Sequence, residues 1–177
     1  MRPDPTLRPL PLPAGVPGGL FLTAMPGRFG PVEAFTAALA GQRIGHVLCL
    51  TGEAEIAAKS PGYAALLAGG GLPARLHAHP IPDFATPADE AAFAAWAGRA
   101  AALLMAGERA VLHCAAGIGR TGTAALCLLH LLGEDAARAE ALVQAAGSGP
   151  ETEAQREFVA RFALNPPGAA RPTGSPA

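Results

Sequence analysis

The stretch Val111-Leu112-His113-Cys114-Ala115-Ala116-Gly117-Ile118-Gly119-Arg120-Thr121-Gly122 joins a short apolar run to an apolar helix through a loop of small residues. The helix that follows carries Ala124, Ala125, Leu126, Cys127, Leu128, Leu129, Leu131 and Leu132, so it is apolar nearly all round and is expected to cross the core. A loop between a strand and such a helix has its backbone N–H groups free to converge on one anion. Small residues let the backbone approach it closely. The helix amino end adds partial positive charge at the same place. Arg120 brings a planar fork that matches two phosphate oxygens, as a lysine would not. The same field stabilises a thiolate at Cys114, and a thiolate aimed at a bound phosphate is a nucleophile placed for in-line attack. The plainer reading is a buried cysteine ahead of a glycine turn. The His before the cysteine, the arginine five residues beyond it and the Thr-Gly that follows are far more specific than a glycine turn alone.

Outward from this stretch, apolar strand-like runs alternate with helical patterns. Strands are expected at Leu20 to Ala24, His46 to Thr51, Ala74 to His79 and Ala110 to His113. Helices are expected at Val32 to Ala40, Gly62 to Ala68, Pro87 to Ala106, Thr121 to Leu132, Glu134 to Ala146 and Glu151 to Ala163. Thr86 with Pro87 and Asp89 reads as a helix start, and Ser148 with Glu151 as a capping box. The alternation predicts a single-domain α/β fold, its central mostly parallel sheet of about four to five strands flanked by helices. Residues 1–19, rich in proline, read as an extended or irregular arm, 20–164 as the domain and 165–177 as a disordered tail.

The chain has 177 residues, half of them apolar, with a formal charge of −1. That balance argues against a nucleic-acid footprint or a polybasic membrane patch, so an anionic substrate must be held by local groups. Cys49, Cys114 and Cys127 are an odd and sparse set, and Met1 to Gly19 has no continuous apolar segment. A reduced, cytoplasmic setting is therefore expected, with a cysteine serving as reagent rather than staple.

The loop motif resembles the signature of the cysteine-dependent protein tyrosine phosphatases: His-Cys, five residues, Arg, then Ser or Thr. The likeness is greatest to the compact dual-specificity branch, particularly the cyclin-dependent-kinase-inhibitor-type (kinase-associated) phosphatases. It extends over about residues 20 to 162, through Leu22-Thr23-Ala24-Met25-Pro26-Gly27, His77-Ala78-His79-Pro80-Ile81-Pro82-Asp83 and Gly147-Ser148-Gly149-Pro150-Glu151-Thr152 with Gln155. The resemblance implies the three-layer fold of that family and a phosphocysteine mechanism without cofactor or metal. It implies Cys114 as nucleophile and Arg120 as clamp, with the amides of Ala115, Ala116, Gly117, Ile118, Gly119 and Arg120 as the cradle. His113 would tune the cysteine from behind, and the Thr121 hydroxyl would ease departure of the thiolate. The resemblance likewise implies Asp83, in a proline-stiffened loop after a strand, as the general acid that a poor leaving group requires. Relatives often carry two glutamines in a late loop. Here Glu151 replaces the first and Gln155 matches the second, the candidate for positioning water.

The variable loop positions Ala115, Ala116 and Ile118 include no lysine, which disfavours a multiply phosphorylated lipid head group. A shallow pocket, with Tyr63 read as packing, would admit phosphoserine and phosphothreonine as well as phosphotyrosine. The expected partners are a phosphorylated protein or a small phosphate ester, with no nucleic acid, no membrane and a monomer favoured. His77 and His79 share a strand face but lack a third ligand at metal spacing. Cys49 ends a strand that in related enzymes can face the nucleophile, and either a protective disulfide with Cys114 or a plain core cysteine fits it. Rhodanese-like sulfur transfer and hydrolysis of small phosphorylated metabolites are the alternative activities. Arg28 and Arg75 face substrate or solvent, and the sequence leaves that open.

Overall fold

The computed structural model describes residues 7–165. Its sheet has five strands: β1 (Arg8–Leu10), β2 (Gly19–Thr23), β3 (His46–Cys49), β4 (Arg75–Ala78) and β5 (Arg109–His113). They lie in the order β1-β2-β5-β3-β4, with β1 antiparallel to β2 and every other pairing parallel. Seven helices complete the fold: α1 (Val32–Gly41), α2 (Glu53–Lys59), α3 (Pro61–Ala68), α4 (Glu90–Met105), α5 (Gly119–Leu131), α6 (Ala136–Ala145) and α7 (Glu153–Leu164).

Alternate strand residues serve opposite layers, as the pleat requires. Leu20, Leu22, Leu48 and Leu112 pack with the α4 to α7 helices, around the apolar α5. Phe21, Val47, Cys49 and Val111 pack with Phe35 of α1, Ile56 of α2 and Tyr63 of α3. The sheet is thus the middle of three layers, and its central strands are apolar on both faces. All four parallel strands end at one edge, the usual location of ligand sites in such sheets. There β5, the middle strand, delivers Cys114.

The arm expected to be extended or irregular supplies β1, an edge strand. Pro9 sits opposite Phe21 there, tolerable because an edge strand leaves one row of N–H positions unpaired. A second element absent from the sequence expectations is α2, seven residues with the single buried side chain Ile56. Two caps are corrected. The fourth helix starts at Glu90, capped by Asp89 accepting from the Ala92 amide at 2.9 Å, while Pro87 is buried ahead of it. The last helix has its capping box at Thr152 and Gln155, not Ser148 and Glu151. The expected tail, 165–177, lies outside the described residues apart from Asn165.

Candidate active site

Cys114 is 2% exposed and follows directly on β5. The loop after it turns on Gly117, whose φ is +72° and where a Cβ would sit 2.4 Å from the Thr23 carbonyl oxygen. Only glycine meets both conditions. Loop carbonyls are engaged on the outer side. Gly117 O accepts from Arg8 Nη2 (2.6 Å) and Ser148 Oγ (3.2 Å), and Ile118 O from Ser148 Oγ (2.8 Å) and the Gly122 amide (2.6 Å). Among the described residues, the amides of Ala116 to Arg120 donate to no carbonyl. Unpaired N–H groups in a tight loop at the start of a helix make an anion cradle. Gly122 completes it, since a Cβ there would collide with the backbone of Gly149. That close approach lets the loop before α7 brace the cradle.

Behind Cys114, His113 is fully buried between Tyr63 and the Cys114 backbone. Tyr63 Oη lies 3.1 Å from His113 Nε2, and His113 Nδ1 lies 3.2 Å from the Cys114 carbonyl oxygen. Burial pushes the Tyr63 phenol up, so it remains a donor. Cys114 O can only accept, so Nδ1–H is the donor in that bond whether or not Nε2 also carries a proton. Cys49 pairs with His113 across β3 and β5. Burial opposes charge on both, yet the pair stabilises itself: the Cys49 thiol is pulled down to about 7 and the His113 imidazole is raised. Thr121 is fully buried, and its Oγ1 has no hydrogen-bond partner.

Arg120 is also 2% exposed, and its guanidinium is already engaged. Nη1 donates to Glu55 Oε2 and the Ile81 carbonyl, both at 2.8 Å. Nη2 donates to Glu55 Oε1 at 2.9 Å and Asp83 Oδ1 at 2.8 Å. Bidentate pairing of this kind fixes the plane of the fork. The bonds from Arg120 outweigh burial at Glu55 and hold its carboxyl at about 2. Lys59 Nζ joins the group, 2.7 Å from Glu55 and 3.5 Å from Asp83.

Asp83 sits between β4 and α4, in a loop anchored by the buried residues Ile81 and Pro87. Its neighbour Phe84 is 59% exposed and has a left-handed backbone, φ +59°. Thr152 Oγ1 donates to Phe84 O (3.4 Å), and Gln155 Nε2 donates to Ala85 O (3.2 Å). Gln155 is fully buried, its Oε1 accepting from the Glu151 and Thr152 amides. Both ends of its amide are therefore bound to backbone, which ties α7 to the loop that carries Asp83. Glu151 lies against Gly119, where a Cβ would meet its carboxylate.

A family model described as Swiss Army Knife protein, DSP-PTPase phosphatase domain, matches residues 29–169. The chain belongs to this family. The phosphatase domain is also similar in fold to kinase associated phosphatase, solved with its catalytic cysteine replaced by serine, at 22% identity and a TM-score of 0.74. That match covers 92% of this chain and 96% of the other. Tk-PTP in its active form matches at 20% identity and 0.67, covering 82% and 92%. PTPMT1, solved in complex with PI(5)P, matches at 16% and 0.62, covering 82% and 90%. No curated protein matches the sequence. Because the matched family is a phosphatase family, sulfur transfer is set aside.

Within this phosphatase the motif residues Cys114, Arg120 and Thr121 lie in one turn, and Asp83 reaches Arg120 across it. The sequence does not mark Glu55, Lys59 or Arg8 as site residues, and Tyr63 and Ser148 read there as packing and capping residues. A carboxylate just beyond the end of a parallel strand, as in Thr51-Gly52-Glu53-Ala54-Glu55, is the signal that points to Glu55. His77 and His79 are strand residues: His77 Nε2 lies 3.0 Å from His46 Nδ1, and His79 packs on Phe93 and Trp96. Among the described residues no cluster of three or more His, Cys, Asp or Glu is placed to hold a metal. No described helix is long and apolar enough to cross a membrane.

Proposed function

We propose that this phosphatase hydrolyses phosphotyrosine, and phosphoserine and phosphothreonine with it, on proteins through a phosphocysteine on Cys114. The observation that carries this reading is the buried cysteine beneath a ring of unpaired loop amides, with a fixed arginine beside it. In the resting site four of the five Arg120 N–H groups are occupied, leaving Nε–H. A phosphate that binds the fork through Nε and Nη2 must displace Asp83 from Nη2. Substrate binding thus frees the Asp83 carboxylate from Arg120, and it takes up a proton from solvent before acting as the acid. The Cys114 thiolate attacks phosphorus, the P–O bond to the side-chain oxygen breaks, and the Asp83 carboxyl protonates the leaving oxygen. In the second step the Asp83 carboxylate takes a proton from water. The water oxygen bonds to phosphorus, the S–P bond breaks, and Thr121 Oγ1–H stabilises the departing thiolate.

Ala115, Ala116 and Ile118 add no cation around the cradle, which supports a singly phosphorylated side chain over a polyphosphorylated head group. Cys114→Ser tests the assignment. Turnover of phosphopeptides is expected to fall below detection, while tungstate still binds because the amides and Arg120 remain. Turnover persisting in the serine variant rules out the phosphocysteine.

A further inference from the structure

Arg8 belongs to β1, ahead of the residues matched by the family model. Its guanidinium nevertheless ends at the phosphate loop. Nη2 donates to the Gly117 carbonyl at 2.6 Å, and Nη1 to the Ala146 and Gly147 carbonyls at 2.7 and 2.8 Å. The seat is shaped for it: Gly147 has φ +69°, and a Cβ there would lie 3.1 Å from Nη1. Burial lowers the pKa of Arg8 while Cys114 acts in the opposite direction. An arginine stays charged under such conditions.

The bond to Gly117 differs from an ordinary helix-end contact because of what shares its peptide group. Gly117 C=O and Ile118 N–H are two ends of one amide, and Ile118 N–H is among the unpaired donors of the cradle. A charge-assisted bond on the carbonyl polarises the amide and makes its N–H a stronger donor. We infer that Arg8 is a positioning residue of the phosphate loop, which strengthens the Ile118 donor and fixes the loop against the end of α6. This inference rests on the reading of the loop as an oxyanion cradle. It makes β1 part of the active site, although it lies outside the matched family segment.

The test compares the full chain with Arg8→Met and Arg8→Lys, measuring the Kd for tungstate by calorimetry, kcat and KM for p-nitrophenyl phosphate, and Tm. Folding survives the loss, since Gly117 O keeps Ser148 and the α6 carbonyls gain water. Arg8→Met is expected to weaken tungstate about tenfold and to lower kcat/KM in parallel. Arg8→Lys, which keeps the charge but reaches fewer carbonyls, is expected to recover part of both. If Arg8 only caps α6, Tm falls while the tungstate Kd of the folded variants equals that of wild type, and the inference is overturned. Should wild type bind tungstate yet hydrolyse no ester, the phosphatase reading fails, and the three tungstate affinities still decide for or against Arg8.

Discussion

In the phosphate loop the carbonyls of Gly117 and Ile118 each have two or more donors, and Cys114 and Arg120 are each 2% exposed. In the acid loop, residues 80–87, the Asp83 side chain is 48% exposed and Phe84 is 59% exposed. Three side chains bond to its backbone: Thr152 to the Phe84 carbonyl, Gln155 to the Ala85 carbonyl and Arg120 to the Ile81 carbonyl. The anion cradle is therefore built before substrate arrives, as electrostatic stabilisation demands, because dipoles already aligned need no reorganisation. Asp83, the proposed acid, is paired with Arg120 in the structure. On the proposed mechanism, binding falls to the more buried loop and proton transfer to the more exposed one.

The largest effect expected from breaking the more exposed half alone is on proton transfer. Asp83→Asn is expected to lower kcat/KM by about 10²–10⁴-fold for alkyl and phenolic esters with poor leaving groups. Esters with acidic leaving groups lose much less, since they depart as anions. Tungstate affinity is expected to hold or rise, because the variant no longer competes as a charged partner for Arg120. An equal loss for all leaving groups assigns Asp83 to scaffolding.

Much of the more buried half was legible in sequence because its residues are consecutive. Cys114, Gly117, Arg120 and Thr121 fall within one turn, and local physics explains their order. The brackets that hold them were not legible. Ser148 is 31 residues from Gly117, Tyr63 is 50 from His113, Glu55 is 65 from Arg120, and Arg8 is 109 from Gly117. Each looks ordinary in place. Glu55 belongs to Glu-Ala-Glu-Ile-Ala-Ala-Lys, which reads as a solvated helix with an i,i+4 pair, and Arg8 stands among prolines. The sheet order that brings them together is a long-range property. The helix starts failed for a nearer reason: Asp89 and Thr152 outcompeted Thr86 and Ser148, and Ser148 is spent on the loop carbonyls.

A smaller effect concerns the bracket between the two halves. Glu55→Gln is expected to cost about 2–3 kcal/mol of stability near neutral pH, by weakening a charged pair around a buried arginine. The sign of its pH dependence follows from a carboxyl held at about 2 in the fold. The stability it contributes is complete above the ordinary carboxylate range of about 4.3 and is lost as pH falls toward 2. Denaturant melts of both proteins from neutral to acid pH are expected to converge at the acid end. A constant gap removes Glu55 from the linkage.

The smallest effect sharpens the comparison from below the acid loop. Thr152→Ala removes a helix cap, worth about 1 kcal/mol, and also the bond to Phe84. Turnover of esters with poor leaving groups is expected to fall modestly, with tungstate affinity unchanged. A drop in tungstate affinity contradicts the separation of the two loops.

Acid quenching during turnover tests the central claim most directly. p-Nitrophenyl phosphate, whose leaving group departs without help from the acid, is mixed with Asp83→Asn protein, which lacks the base proposed for the second step, and the quenched protein is digested and mapped by mass spectrometry. One phosphoryl group on the peptide containing Cys114, absent from Cys114→Ser treated identically, is the predicted result. Turnover by wild type with no label on Cys114, or with label on another residue, contradicts it.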